Sequence, residues 1–325
     1  MCAAGARISD SQGDVAVSGS APPYTRTVPA SIAANVSSPQ AVHPAGDEWR
    51  PGARLAVSLV INVEEGAEMS VERGDASMEP VDELGMFARE PLRNLPNESN
   101  YRYGLTQGAP RIARLLRERG LHATWTCAAA ALEAAPQVAQ LIVDGGHEVC
   151  AHGQRWIVQL KMDEDTERAF ICSASDSLAR STGQRPAGWL SRYYTTLNTR
   201  RLLVESGFSY HMDDFSDDLP FWDTSHGRPI LVIPYQLDTN DMKLWAHPAY
   251  TPDQWLKYAC DTFDWLLKES RELAQARIMS LGVHLRIIGR PGRIWAFEKF
   301  LDRVRAVKDA CVLTRMQIAA ACAAP

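Results

Sequence analysis

Short apolar runs alternate with longer amphipathic stretches along most of this chain, and that alternation restricts the fold more than any other feature. Strand-length apolar runs fall at 55–61, 123–127, 148–151, 188–191, 208–210, 230–233, 278–283 and 311–313. Stretches with helical spacing lie between most of them. Gly120, Gly146 and Gly207 each close an amphipathic stretch just before an apolar run, where a helix needs a left-handed stop. Thr251-Pro252-Asp253-Gln254 reads as a capping-box start, with the helix running from 252 to about 276. Strands and helices alternating on this scale predict a parallel sheet, open or closed.

A chain of 325 residues is of normal length for a single α/β barrel. An apolar share of 46% suffices for a large core. Residues 1–50 are rich in Ser, Ala, Pro and Gly without sustained periodicity; they are expected to form an irregular arm, with the barrel domain spanning 51–325. The segment 64–110 is an unusually long connection after the first strand, and such loops are often functional. A net charge of -5 without a Lys/Arg-rich block argues against nucleic acid. No long uncharged apolar run suggests a membrane span. The seven cysteines are odd in number and contain no C-x-x-C, which predicts free thiols in a reducing cytoplasm.

Polar residues cluster just after the expected strands: Glu64 and Glu65 after the first, His152 after the third, Arg192 after the fourth, His211 to Asp214 after the fifth, and His284 at the end of 278–283. In a parallel barrel these strand ends share one face, where active sites form. Taken singly, each is as well explained as a surface-loop residue. The acidic stretch Asp213, Asp214, Asp217 and Asp218 lacks calcium-loop spacing and reads as loop capping.

Several strings carry a resemblance. Val60-Ile61-Asn62-Val63-Glu64-Glu65-Gly66 resembles the first motif of the polysaccharide deacetylase (NodB-homology, carbohydrate esterase 4) family, with two Glu where typical members have two Asp. His152-Gly153-Gln154-Arg155-Trp156 resembles the second motif, usually His-x-x-x-His, and Leu281-Gly282-Val283-His284-Leu285 the strand that supplies the family's catalytic His. Together with Gly66-Ala67-Glu68, Asp217–218 through Trp222, 237–242 and Gly289-Arg290-Pro291-Gly292-Arg293, these strings are similar to the allantoinase-like branch, over roughly residues 50–320. The resemblance implies a distorted (β/α) barrel of the NodB-homology type.

One departure bears on mechanism. Trp156 stands where the family has its second metal-binding His, and an indole N–H only donates. The resemblance then leaves Glu65 and His152 as ligands, two where catalytic sites usually have three. No metal or other cofactor is expected. Without a metal to activate water and polarise the carbonyl, a cyclic ureide or imide is an easier substrate than an acetamide, because its leaving nitrogen is better stabilised.

The resemblance thus implies a hydrolase of non-peptide C–N bonds that opens a ring such as allantoin, acting on a small molecule and plausible as a homo-oligomer. The alternatives are a metal-dependent N-deacetylase of an acylated sugar or amine, and a non-catalytic binding protein on the same barrel. Glu64 is the expected general base, and mutual repulsion of the two adjacent carboxylates is expected to raise the pKa of one of them. Glu65 is expected to orient His152 or the water, and His284 to act as acid. Arg155 and Arg192 are candidates for binding ureide carbonyls bidentately, with a structural ion pair the other reading of Arg155. Trp156 is either a core aromatic or the pocket floor. Asp238, Asn240 and Asp241 either bind substrate or shape a turn.

Overall fold

The computed structural model describes residues 40–322 apart from 84, 87 and 89. Among these, nine strands form one sheet: β1 (Leu55–Val63), β2 (Thr124–Cys127), β3 (Glu148–Ala151), β4 (Gly188–Trp189), β5 (Tyr210–His211), β6 (Phe221–Asp223), β7 (Ile230–Val232), β8 (Arg277–His284) and β9 (Ala310–Val312). The helices are α1 (Leu95–Tyr103), α2 (Ala109–Glu118), α3 (Ala129–Ala134), α4 (Pro136–Asp144), α5 (Glu164–Thr182), α6 (Thr199–Glu205), α7 (Pro252–Glu272), α8 (Leu285–Ile288), α9 (Pro291–Arg305) and α10 (Arg315–Ala321). Each of the eight expected strands is present, with ends displaced by at most two residues; β6 was not expected. Gly120, Gly146 and Gly207 do take positive φ. Thr251 forms the expected capping box, and α7 ends at Glu272, four residues earlier than its pattern suggested.

β1 is buried along its whole length, as a parallel strand covered on both faces must be. β8 lies on one side of it; on the other, β9 pairs with Leu55–Val57 and β2 with Val60–Val63. The ladder continues through β3, β4, β5 and β7, all parallel, to the antiparallel edge strand β6. The result is a curled, incompletely closed (β/α) barrel: β7 and β8 do not pair. Side chains span that seam instead. Gln236 Oε1 accepts from Ser280 N at 2.8 Å, and Thr239 Oγ1 donates to Ser280 O at 2.6 Å. Arg315 donates to Ile233 O at 2.7 Å and to Ser280 Oγ at 2.6 Å.

Residues 40–50, grouped with the arm on composition, lie against the barrel. Ala41 bridges Phe221, and the buried Trp49 donates its indole N–H to Arg277 O at 2.8 Å. Residues 1–39 of the expected arm, and Cys2, lie outside the described residues; the other six cysteines are free. Among the described residues no helix is long and apolar enough to cross a membrane.

Candidate active site

The parallel register carries the expected polar residues to one end of the sheet. Asn62 of β1 pairs in register with His284 of β8, and Glu64 and Glu65 follow one turn of pleat later. His152 directly follows β3. Glu64, His152, Trp156, Arg192, Asn240 and His284 line one open cleft of about 320 Å³. Tyr193 forms part of its rim with φ at 62°, its ring stacked on Phe215 with centroids 6.2 Å apart.

Glu64 is the hub. It is 3% exposed, with Oε1 3.1 Å from His284 Nε2 and 3.6 Å from His152 Nε2, while Oε2 accepts from Arg286 Nη1 at 2.9 Å. Behind His284 sits Asp241, fully buried. Its Oδ1 is 2.6 Å from His284 Nδ1, and its Oδ2 accepts the backbone N–H groups of His284 and Ile288 at 2.8 and 3.1 Å. With a carboxylate against each ring nitrogen, His284 donates from both and is an imidazolium. Burial alone would lower its pKa, but the charges of Glu64 and Asp241 outweigh that and push it up to about 10. Burial alone would raise the pKa of Glu64; the His284 charge, hydrogen bonds with both histidines and the Arg286 charge hold it well below the usual carboxylate range. His152 donates Nδ1–H to Leu190 O at 2.6 Å, which aims its Nε2 at Glu64 Oε1, 3.6 Å away.

The expected rise of one carboxylate of the pair falls on Glu65 and not on Glu64. Glu65 is raised by burial and by the Glu64 charge, against the pull of Arg286. Nor does Glu65 orient His152: its Oε1 accepts Arg286 N at 2.9 Å and its Oε2 accepts Glu64 N at 3.1 Å. Arg286 is the counter-charge to both carboxylates. Its guanidinium lies 4.2 Å over the Tyr101 ring and 5.6 Å from the Trp156 ring centre. Among the described residues its Nε and Nη2 have no hydrogen-bond partner, so the rings are what receive that side of the cation.

The long connection after β1 encloses this layer. Gly104 and Gly108 belong to a single π-helical turn between α1 and α2. A Cβ at Gly104 would stand 2.7 Å from Glu65 Oε1, and one at Gly108 2.0 Å from Leu285 O, so only glycine permits this approach. Glu79, from the same connection, holds Arg192 from two sides at 3.0 and 2.5 Å. Arg192 also donates to Trp156 O and lies 3.6 Å over the Trp156 ring. Its terminal nitrogens are thus committed, and the bidentate grip on a substrate carbonyl expected of it is not free. Trp156, buried at 6% exposure, is both core and cleft floor.

Two expected substrate contacts lie elsewhere. Arg155 pairs with Asp75 at 2.9 and 2.5 Å and with Glu68 O, outside the cleft. Asp238 is exposed, accepts from Tyr258 at 3.0 Å and lines a neighbouring groove. Asn240 caps the short helical turn Asp241–Leu244 by accepting from Met242 N at 2.8 Å. Asp213, Asp214 and Asp217 accept backbone N–H groups of Ser191, Ser216 and Leu219, as loop caps do. The residues missed in the sequence are Arg286, Glu79 and Tyr101, and Asp241, expected to bind substrate or shape a turn, instead holds His284. Asp241 lies within the quoted string 237–242. Arg286 interrupts the apolar run 278–288, where a lone cation requires buried anions.

A divalent metal does not fit this donor set. Trp156 offers no lone pair, Glu65 is turned to Arg286, and a guanidinium already lies against Glu64. Among the described residues no group of three or more His, Cys, Asp or Glu side chains is arranged to hold a metal ion.

A family model for polysaccharide deacetylase matches residues 100–210. A protein of Schizosaccharomyces pombe described as a polysaccharide deacetylase is 31% identical over 294 residues, covering 84% of this chain and 91% of that protein. A solved structure from Pseudomonas aeruginosa PAO1, described as a polysaccharide deacetylase, is 38% identical with a TM-score of 0.79, over 83% of this chain and 91% of that one. The structure of the PuuE allantoinase is 37% identical with a TM-score of 0.81, over 88% of this chain and 94% of that one.

Proposed function

The chain belongs to the polysaccharide deacetylase family, and we propose that within it this protein hydrolyses a C–N bond of a small cyclic ureide, amide or imide without a metal ion. The observation that carries the reading is the buried Asp241–His284–Glu64 array, with Arg286 against Glu64. It supplies a base and an acid in contact, which is what a C–N hydrolysis needs at its two ends.

The steps balance as follows. Water within reach of Glu64 and His152 Nε2 gives a proton to Glu64 as its oxygen bonds to the carbonyl carbon. The carbonyl π pair moves to oxygen. The C–N bond then breaks with its pair on nitrogen, which takes the Nε2 proton of His284. Glu64 returns its proton to His284 across the 3.1 Å contact, and the array is restored. The open cleft of about 320 Å³ is at the small end for ligand sites, which favours a single ring over a polymer. The likeness to the PuuE allantoinase makes allantoin the leading candidate.

A second reading, N-deacetylation of an acylated amine by the same array, is supported by the names of the two deacetylase relatives. The test is turnover measured on allantoin, hydantoins, succinimides and N-acetyl sugars side by side. Ring opening with N-acetyl sugars inert is the expected result. Acetate release with all rings inert overturns the first reading in favour of the second.

A further inference from the structure

Tyr235 lies at the β7–β8 seam, buried, and lines the same cleft as Glu64 and His284. Its hydroxyl oxygen accepts from Asn240 Nδ2 at 2.8 Å and from Asn62 Nδ2 at 3.4 Å. Both amides are fixed in orientation by other bonds. Asn240 Oδ1 is held by Met242 N at 2.8 Å. Asn62 Nδ2 also faces Val283 O at 3.3 Å, and Asn62 Oδ1 accepts from Thr126 Oγ1 at 2.7 Å. Neither amide can flip to accept from the tyrosine without losing those partners. The hydroxyl oxygen is therefore filled as an acceptor, and no hydrogen bond among the described residues takes its hydrogen. Burial, with the charges of Asp241 and Glu64 nearby, pushes its pKa up, so that hydrogen stays in place. The sequence makes room for this placement: a Cβ at position 282 would stand 1.8 Å from the Tyr235 oxygen, and the residue there is Gly282.

We infer that the Tyr235 hydroxyl is the oxyanion donor of this site, donating to the substrate carbonyl oxygen as water adds to its carbon. A donor whose own oxygen accepts from two amides is polarised toward giving its hydrogen, and it is in position before charge develops. It adds no proton transfer to the steps above. The π pair of the carbonyl moves to oxygen, the O–H hydrogen bond to Tyr235 shortens, and both are reversed when the C–N bond breaks. The inference rests on the proposed C–N hydrolysis, and its test is separable from it.

Turnover of the ring panel by the wild-type protein tests that function. Tyr235 is tested by calorimetric binding of two probes: a planar five-membered hydantoin, and a cyclic phosphonamidate that carries a charged tetrahedral oxygen. Tyr235→Phe should weaken the phosphonamidate by about 10²-fold or more, as loss of one oxyanion donor does, and leave the hydantoin affinity nearly unchanged. In kinetics the same variant should lower kcat with KM little moved. Equal weakening of both probes, or of neither, overturns the inference, as does a change in KM alone. Site-specific 2,3,5-trifluorotyrosine at 235 keeps the ring and strengthens the donor. It should tighten the phosphonamidate, and an unchanged affinity overturns the inference even where Tyr235→Phe fails to fold.

Discussion

Replacing Asp241 with Asn removes one buried negative charge and leaves the side-chain volume nearly unchanged. In the wild type, Oδ1 faces His284 Nδ1 at 2.6 Å while Oδ2 accepts two backbone N–H groups. The Asn oxygen best replaces Oδ2, because two buried donors would otherwise lose their acceptor at roughly 1–3 kcal/mol each. The amide N–H then meets Nδ1, which can accept it only when the ring is neutral. Two unit charges about 4 Å apart at an effective dielectric constant near 20 interact by about 4 kcal/mol, equivalent to about three pH units at 1.36 kcal/mol each. Wild-type His284, pushed up to about 10, stays protonated through neutral pH. A group with a raised pKa loses its proton as pH rises, so the alkaline limb of kcat lies near 10 in the wild type and near 7 in Asp241→Asn, by the same estimate. Both proteins would be followed by pH–rate profiles from pH 5 to 11. Nitrogen-15 NMR of the His284 ring reads the same titration without turnover. A variant whose ring titrates where the wild type does would refute the electrostatic account of the array.

Glu64→Gln keeps shape but cannot accept a proton at neutral pH, and turnover should fall by roughly 10²–10⁴-fold with the fold intact; wild-type-like turnover would remove Glu64 from the mechanism. Dialysis against a chelator should leave turnover unchanged, with no stoichiometric metal by elemental analysis; activity lost to the chelator and restored by a divalent ion would reverse the metal-free reading. His284 also links stability to pH. Its raised pKa contributes stability that is fully present below its unfolded value, about 6.5, and is lost as pH rises through about 10. The difference in thermal midpoint between wild type and Asp241→Asn should therefore shrink as pH rises from about 7 to about 10, and a constant difference across that range would count against the linkage.

The fold was legible because its signals are local. β1, β2 and β3 are short apolar runs, and Gly120, Gly146 and Gly207 supply the left-handed stops that end the preceding helical stretches. β6 escaped notice for a physical reason. It is a three-residue antiparallel edge strand whose last two residues are only partly buried, so it needs neither length nor periodicity. The inner boundary of the arm was displaced because composition between 40 and 50 resembles a loop, while Pro44 and Trp49 there are buried and Trp49 bonds to the barrel.

The site was legible where chemistry follows a strand end and illegible where it depends on charge balance between distant segments. Glu64, His152 and His284 could be placed at one face from element order alone, since parallel strands align their ends. What each does there depends on residues remote in sequence: Arg286 lies 222 positions from Glu64 and Asp241 43 positions from His284. Reading two adjacent glutamates as a repelling pair omitted the cation between them. Burial penalises both carboxylates; once His284 and Arg286 are counted, Glu64, which lines the cleft, is held ionised, while at Glu65 burial prevails. That a member of this family acting without a metal would have to replace the metal's positive charge was available in the sequence from Trp156 onward. An arginine two residues after His284, in an otherwise apolar run, was the place to look for that replacement, because a guanidinium is not buried at 1% exposure without anions to receive it.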